Sequence, residues 1–372
     1  MGKAPAEGEA KKSPDYAIFF TVLILAGFGL VMVFSASYIS ALESRGDAFF
    51  FLRRQAFWLV LGLVGMLTAS RFDYWKWRKL LPLLLFSNFL LLLLVFVPEI
   101  GVEVNEARRW IGIGGFNIQP AEFTKLVVII FSAAFLSKAR LNIKDFWSSS
   151  FIPLAVMGAS FFLILLQPDL GTALALAMVA LVIVFAAGTP LKHFIAFLSA
   201  GVPLAVYLMI SEPYRLQRLF SYRDPWADPL RSGYQIIQSL YALGPGGLFG
   251  VGLGRSKQKL YYLPEPQNDF IFAIVGEELG FLGALTVILL FFILVWRGFK
   301  VSLQAPDTFG NLMAAGITAM VAIQMLINIG VVTGSIPITG INLPLISAGG
   351  SSLFFTLVAM GILMNISKHA SP

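Results

Sequence analysis

Long apolar runs recur along the chain from Tyr16 onward, each closed by a short polar or basic stretch. A helix needs about 20 apolar residues to cross the hydrocarbon core of a bilayer. On that measure the pattern predicts about ten spans, at 16–37, 56–70, 80–97, 122–136, 151–166, 173–188, 193–211, 270–296, 309–332 and 345–366. Only 167–172 separates the fifth from the sixth. The expected fold is an all-α integral membrane protein, with a polar tail over 1–15 and a single polytopic membrane domain over 16–372.

Composition supports this and removes the soluble alternative. Hydrophobic residues make up 58% of the 372 positions and charged residues 13%. A soluble domain carries roughly 25% charge. Mean hydropathy is +0.81. No small-residue cleavage site follows the first apolar run, so that run reads as a retained span and not as a signal peptide.

The net charge of +7 is a matter of topology, because the basic residues lie between the apolar runs. With the N-terminus inside, the inner connectors hold Lys3, Lys11, Lys12, Arg71, Lys76, Arg78, Lys79, Lys138, Arg140, Lys144, Lys192, Arg297, Lys300 and Lys368. The short outer loops hold Arg45, Arg53, Arg54, Arg108 and Arg109. That bias predicts cytoplasmic N- and C-termini and no nucleic-acid role. One connector breaks the pattern: 212–269, between spans seven and eight, is long, outer and rich in arginine and lysine. Loops beyond about 15 residues are functional or disordered, and the aromatics here (Tyr214, Phe220, Trp226, Tyr241 and Tyr261 among them) speak against disorder. An ordered, partly helical extracytoplasmic loop is expected, with cations suited to phosphate. No internal repeat is visible, which weakens a repeat-built transporter.

Polar groups at membrane depth are costly and call for explanation. Asp269, where the basic loop enters span eight, reads either as a general base at a partly desolvated boundary or as an N-terminal helix cap. Adjacent Glu277 and Glu278 point to different helix faces; an ion pair between elements is the simpler role for one of them. Glu122 and Lys125, three apart on span four, can neutralise each other, or Lys125 with Arg108 or Arg109 can face an anionic substrate. Asp169 in Gln167–Thr172 reads as the cap of span six. The glycines of 244–254 fit neither a Walker loop nor a dinucleotide loop, and suit close backbone packing or a hinge, with direct phosphate cradling as the weaker alternative; Gly349 and Gly350 read alike. The two histidines, His193 and His369, both fall on the inner side, and cysteine is absent. A histidine triad or histidine-ligated zinc site on the outer face is therefore excluded, as are disulfides and thiolate metal sites.

These segments resemble the SEDS family (shape, elongation, division and sporulation), the FtsW/RodA/SpoVE group. The resemblance rests on Arg108-Arg109-Trp110-Ile111, Gln119-Pro120-Ala121-Glu122-Phe123-Thr124-Lys125 and Gln167-Pro168-Asp169-Leu170-Gly171-Thr172. Further on it rests on Pro213-Tyr214-Arg215, Asp224-Pro225-Trp226-Ala227-Asp228-Pro229, Tyr234-Gln235 and Ser239-Leu240, and on Gly252-Leu253-Gly254-Arg255. Leu263-Pro264-Glu265, Asp269-Phe270-Ile271-Phe272-Ala273, Glu277-Glu278-Leu279-Gly280 and Gly349-Gly350-Ser351-Ser352 complete it. Pro264-Glu265-Pro266-Gln267 and Asn328-Ile329-Gly330-Val331-Val332-Thr333 look closer to FtsW and SpoVE than to RodA. Ala348, Ala121 and Pro245 depart from the family's usual residues.

The resemblance implies a peptidoglycan glycosyltransferase of the bacterial plasma membrane that polymerises lipid II on its outer face. The implied partners are a class B penicillin-binding protein and other division or sporulation membrane proteins. The family's essential aspartate matches Asp269, and its Glu/Lys pair matches Glu122 and Lys125. The implied chemistry is inverting transfer: Asp269 takes the proton of the acceptor 4-hydroxyl, and Lys125, Arg109, Arg215, Arg218 and Lys259 meet the departing diphosphate. No cofactor is specified; a divalent cation (Mg2+ or Mn2+) would suit that leaving group. A lipid II flippase and a non-catalytic scaffold of the division machinery are the rival readings.

Overall fold

Each of the ten predicted apolar segments forms helix in the structure, a computed structural model that describes residues 13–104, 107–138, 142, 145–210 and 220–370. The helices are α1 Tyr16–Arg45, α2 Phe50–Arg71, α3 Trp77–Leu94, α4 Pro120–Leu136, the short α5 Phe146–Ser149, α6 Phe151–Leu166 and α7 Leu170–Ala186. They continue with α8 Leu191–Ile210, α9 Tyr234–Gly246, α10 Ile271–Leu303, α11 Thr308–Val332 and α12 Gly350–Ser367. Six of the described helices are long and apolar enough to cross a membrane: α1, α2, α3 with its preceding turn, α10, α11 and α12. Helices α6 and α7 are apolar but shorter.

Helix α11 is the axis of the bundle and packs on α4, α7, α10 and α12, while α12 lies along α2. The apolar stretch of α11 is 67% buried inside the protein, against 11% for α3. Small residues explain the difference. Ala314, Ala315, Gly316, Thr318 and Ala319 let neighbours approach the α11 backbone, so that Ile129 of α4 and Ile183 of α7 stand over Gly316. Between apolar helices in lipid such close van der Waals packing is what drives association. The bulky Leu83, Phe86, Leu90 and Leu93 of α3 instead stay exposed, as lipid-facing side chains do.

Two regions depart from the all-helical expectation. Residues Gly101–Val104 (β1), Ala107–Ile113 (β2) and Phe116–Ile118 (β3) form an antiparallel sheet in the order β1-β2-β3. Ile113 pairs with Phe116 across Gly114 and Gly115, whose φ values of 56° and 82° suit the two-residue turn that matches strand twist. The glycine pair between apolar alternations was the available signal. Helix α10 is also broken, at Gly280 (φ 69°, ψ −165°). There the glycine-rich segment closes the gap: Val251 and Gly252 donate to the Glu277 and Glu278 carbonyls at 3.0 Å each, and Phe281 donates to Gly247 at 2.8 Å. Irregular backbone at membrane depth survives only when buried in protein with its polar groups paired. Gly250 and Gly280 meet backbone to backbone, with no room for a Cβ on either.

Contacts define the two ends of the bundle. At one end Asp15 caps α1, binds Arg297 of α10 at 2.6 Å and donates its N–H to Ser367 of α12. At the same end Asp307 caps α11 and accepts from Tyr74 and Trp75 of the α2–α3 link. The opposite end carries the sheet, the 220–270 region with α9, and the irregular 333–349 segment. The last helix, expected from residue 345, begins at Gly350.

Candidate active site

Asp269 lies in a turn at the loop-bearing end, one residue outside the cap of α10, which is Phe270. It is therefore not the helix cap that its position in the sequence allowed. Phe270 and Ile271 are fully buried and anchor the turn, while Asp269 is half-buried. Its carboxylate faces the 333–349 segment: a Cβ on Gly340 would stand 4.0 Å from Oδ2. The two segments are tied together on both sides of that point. Asn328 of α11 donates its amide to the Asp269 carbonyl at 2.7 Å and to the Ile341 carbonyl at 2.8 Å. Ala348 donates its N–H to the Gln267 carbonyl at 2.8 Å. Gln55 of α2 then holds the Ser347 carbonyl at 3.1 Å.

The same segment reaches the next cluster. Thr339 packs on Gly171 at the start of α7, beside Asp169. Asp169 caps α7 through the Thr172 N–H at 3.1 Å, as the sequence suggested, and also accepts from the Gln119 side chain at 3.0 Å. The Gln119 backbone N–H donates to Ser351 of α12 at 3.2 Å, so this one residue links α7 to α12. Arg109 donates to the carbonyls of Gln167 and Pro168 and so clamps the α6–α7 turn, while Arg108 pairs with Glu103 at 2.8 Å on the exposed face of the sheet.

Two buried ion pairs flank this end. Glu122 and Lys125 meet at 2.8 Å within α4, with side chains 9% and 2% exposed. Lys259 meets Glu278 at 2.7 Å, both sealed from solvent. Ser35 of α1 donates to the other Glu278 oxygen at 2.6 Å, and the Tyr38 ring lies 4.9 Å from the Lys259 ammonium. Glu277 accepts from the Ser256 hydroxyl at 2.5 Å and the Lys257 N–H at 2.7 Å. The adjacent acids on different faces of α10 thus grip one loop from two directions. Lys259, expected among the diphosphate ligands, is engaged inside the protein as a brace. Arg215 and Arg218 lie outside the described residues. Exposed cations on the same loop are Arg223, Arg231, Arg255 and Lys257.

Backbone strain gathers here too. The four non-glycine residues with positive φ among those described, Pro168, Tyr261, Glu265 and Leu345, all lie in loops of this end. Such residues cost of order 1–3 kcal/mol each and cluster at functional sites. Sequence reasoning did not assign a role to Asn328, Gln55, Ser35 or Gly340. For Asn328 and Ser35 the signal was a polar side chain inside an apolar run; Gln55, directly after Arg53 and Arg54 and before the predicted span, and Gly340 offered none.

The family model described as cell cycle protein, FtsW/RodA/SpoVE, matches residues 16–372. Stage V sporulation protein E of Bacillus subtilis is 49% identical over 361 residues, covering 97% of this chain and 98% of that protein. A probable peptidoglycan glycosyltransferase FtsW of Trichlorobacter lovleyi is 45% identical over 354 residues, covering 95% of this chain and 93% of its own. A solved peptidoglycan synthase complex, described as coordinating polymerization and crosslinking, contains a chain that superposes with a TM-score of 0.78 at 31% identity, covering 95% of this chain and 97% of that one.

Proposed function

The chain belongs to the FtsW/RodA/SpoVE family, and from that membership we propose that this multi-pass membrane protein is a peptidoglycan glycosyltransferase that polymerises lipid II. The observation that carries the reading is the half-buried Asp269 carboxylate, set against Gly340 at the end of the bundle opposite Asp15. The basic residues near Asp15, Arg297 and Lys300 among them, favour the cytoplasm for that other end, and with it the outer face of a bacterial plasma membrane for Asp269.

In the reaction, the 4-hydroxyl of the acceptor GlcNAc attacks C1 of the donor MurNAc. Asp269 takes the hydroxyl proton, the C1–O bond to the diphosphate breaks with inversion, and undecaprenyl diphosphate leaves with the electron pair. General-base assistance of this kind contributes roughly 10²–10⁴-fold. Charge on the departing diphosphate needs preorganised cations. Exposed Arg223, Arg231, Arg255 and Lys257, with Arg215 and Arg218, supply them from one loop, while Arg109 clamps the α6–α7 turn and Lys125, expected among the diphosphate ligands, is paired with Glu122 inside the protein. Among the described residues no three acidic or histidine side chains gather as a resident metal site. A divalent cation would instead come with the diphosphate, held by its oxygens. The implied partner is a crosslinking penicillin-binding protein, in keeping with the synthase complex that this chain resembles.

The test is polymerisation of purified lipid II by the chain with such a partner, read as glycan strands on a gel. Asp269→Ala is expected to stop strand formation while folding normally. Strands at the wild-type rate from Asp269→Ala would reject the base. Translocation of lipid II across vesicles without any strand formation by the wild type would turn the reading to a flippase.

A further inference from the structure

We propose that Asn328 is a positioning residue for Asp269: its amide sets the distance between the turn that carries the carboxylate and the Gly340–Ile341 backbone facing it. This role presupposes that Asp269 is the base. Asn328 sits in the apolar helix α11 and is 1% exposed, where a polar side chain is expensive unless it has work to do. Asparagine offers two donors on one nitrogen and a separate acceptor. Both donors are engaged, one by the Asp269 carbonyl at 2.7 Å and one by the Ile341 carbonyl at 2.8 Å. Two facing carbonyls fix which atom is nitrogen.

The Asn328 Oδ1 is buried and has no hydrogen-bond partner among the described residues. Both donors of the one nitrogen are committed to two separate segments. The bridged residues are the ones that matter: Asp269 itself, and Ile341, next to the Gly340 against which the Asp269 carboxylate lies. Neither segment is helical there, as α10 begins at Ile271 and α12 at Gly350. Their spacing is set by hydrogen bonds between the segments, the two Asn328 bonds on one side and the Ala348 N–H bond to the Gln267 carbonyl on the other, and not by a helix.

A misplacement of about 1 Å in a catalytic group costs up to 10²-fold in rate. The test uses the full chain with its penicillin-binding protein and lipid II, and compares Asn328→Leu with Asn328→Asp. Leucine removes both donors with similar bulk; aspartate keeps the shape and loses the paired donors. Both are expected to lower kcat about 10- to 100-fold with lipid II KM within about twofold, since an interaction felt only at the reacting centre acts on kcat. Hydrogen exchange in the 263–273 peptide should quicken in both. If Asn328→Leu fails to fold, Asn328→Asp with the exchange reading decides. Wild-type kcat and unchanged exchange in Asn328→Asp would overturn the inference. A change in KM alone would overturn it too. Failure of the glycosyltransferase reading shows separately, as absence of strands from the wild type.

Discussion

The two ends of the helical bundle are built by different means. At the Asp15 end, helices stop at caps and short links, and the capping carboxylates also tie together the ends of helices that are remote in sequence. Asp15 caps α1 and binds Arg297, and Asp307 caps α11 and accepts from Tyr74 and Trp75. At the Asp269 end, the helices give way to irregular backbone that is held by side chains from distant elements. Asn328, Gln55 and Gln119 grip loops, and Glu277 and Glu278 fasten 256–259. Positive φ at non-glycine residues among those described is found at this end. An end that only closes the bundle can be regular. On the proposed function, an end that presents a carboxylate to a lipid-borne sugar keeps backbone strain that regular packing would otherwise remove.

Three substitutions put that contrast at risk. The largest effect is expected from Glu278→Ala, which leaves Lys259 buried without its carboxylate. Breaking a buried pair costs about 3–5 kcal/mol, so the thermal unfolding midpoint should fall markedly and strand formation with it. Replacing both partners by apolar residues (Lys259→Met with Glu278→Leu) should return most of the stability, because the pair as a whole contributes little. A double variant as unstable as Glu278→Ala would mean that the carboxylate's bonds to Ser35 and the Ser256 N–H, not the ion pair, hold the loop.

Asp307→Ala probes the other end. It removes a helix cap and the acceptor of Tyr74 and Trp75, for an expected loss of about 1–2 kcal/mol. Turnover of lipid II per folded molecule should be unchanged. A fall in kcat as deep as that of the Asp269-end variants would erase the distinction between the ends.

Tyr261→Phe is the smallest. Its hydroxyl donates to Glu43 at 2.5 Å on an exposed surface, and that bond raises the phenol's titration above its ordinary value. A raised phenol pKa favours the protonated folded state, so any stabilisation is present below the ordinary phenol range and is lost as pH rises through the folded value. On an exposed group this should leave the unfolding midpoint unmoved near neutrality. Difference spectroscopy against Tyr261→Phe should show a phenolate appearing later than in free tyrosine. Ordinary titration of Tyr261 would show that the loop does not hold it against α1.

What could be read from the residues alone follows from the range of each interaction. The Glu122–Lys125 pair was legible because both residues lie on one face of one helix, three positions apart. Asp169 as a cap was readable for the same reason. The apolar helices were legible because a bilayer imposes length and apolarity on each one separately. The sheet over 101–118 carried its signal in Gly114 and Gly115, but a hairpin of alternating residues is faint beside twenty-residue apolar runs. Asp269 was ambiguous between base and cap, and only the start of α10 at Ile271 removed the cap. Lys259 looked like an anion ligand because its partner Glu278 lies nineteen residues away across a loop.

The order of residues along the chain was thus enough to establish which segments are helices in lipid, which positions carry charge, and where the resemblance to the FtsW/RodA/SpoVE family lies. What those charges do depended on the folded bundle. Folding broke α10 at Gly280, buried Lys259 against Glu278, and set Asp269 between Gly340 and the Asn328 amide. The reason is physical: helix formation is satisfied within a few turns of one segment, whereas a hydrogen bond or ion pair between remote segments depends on where the whole bundle brings them together.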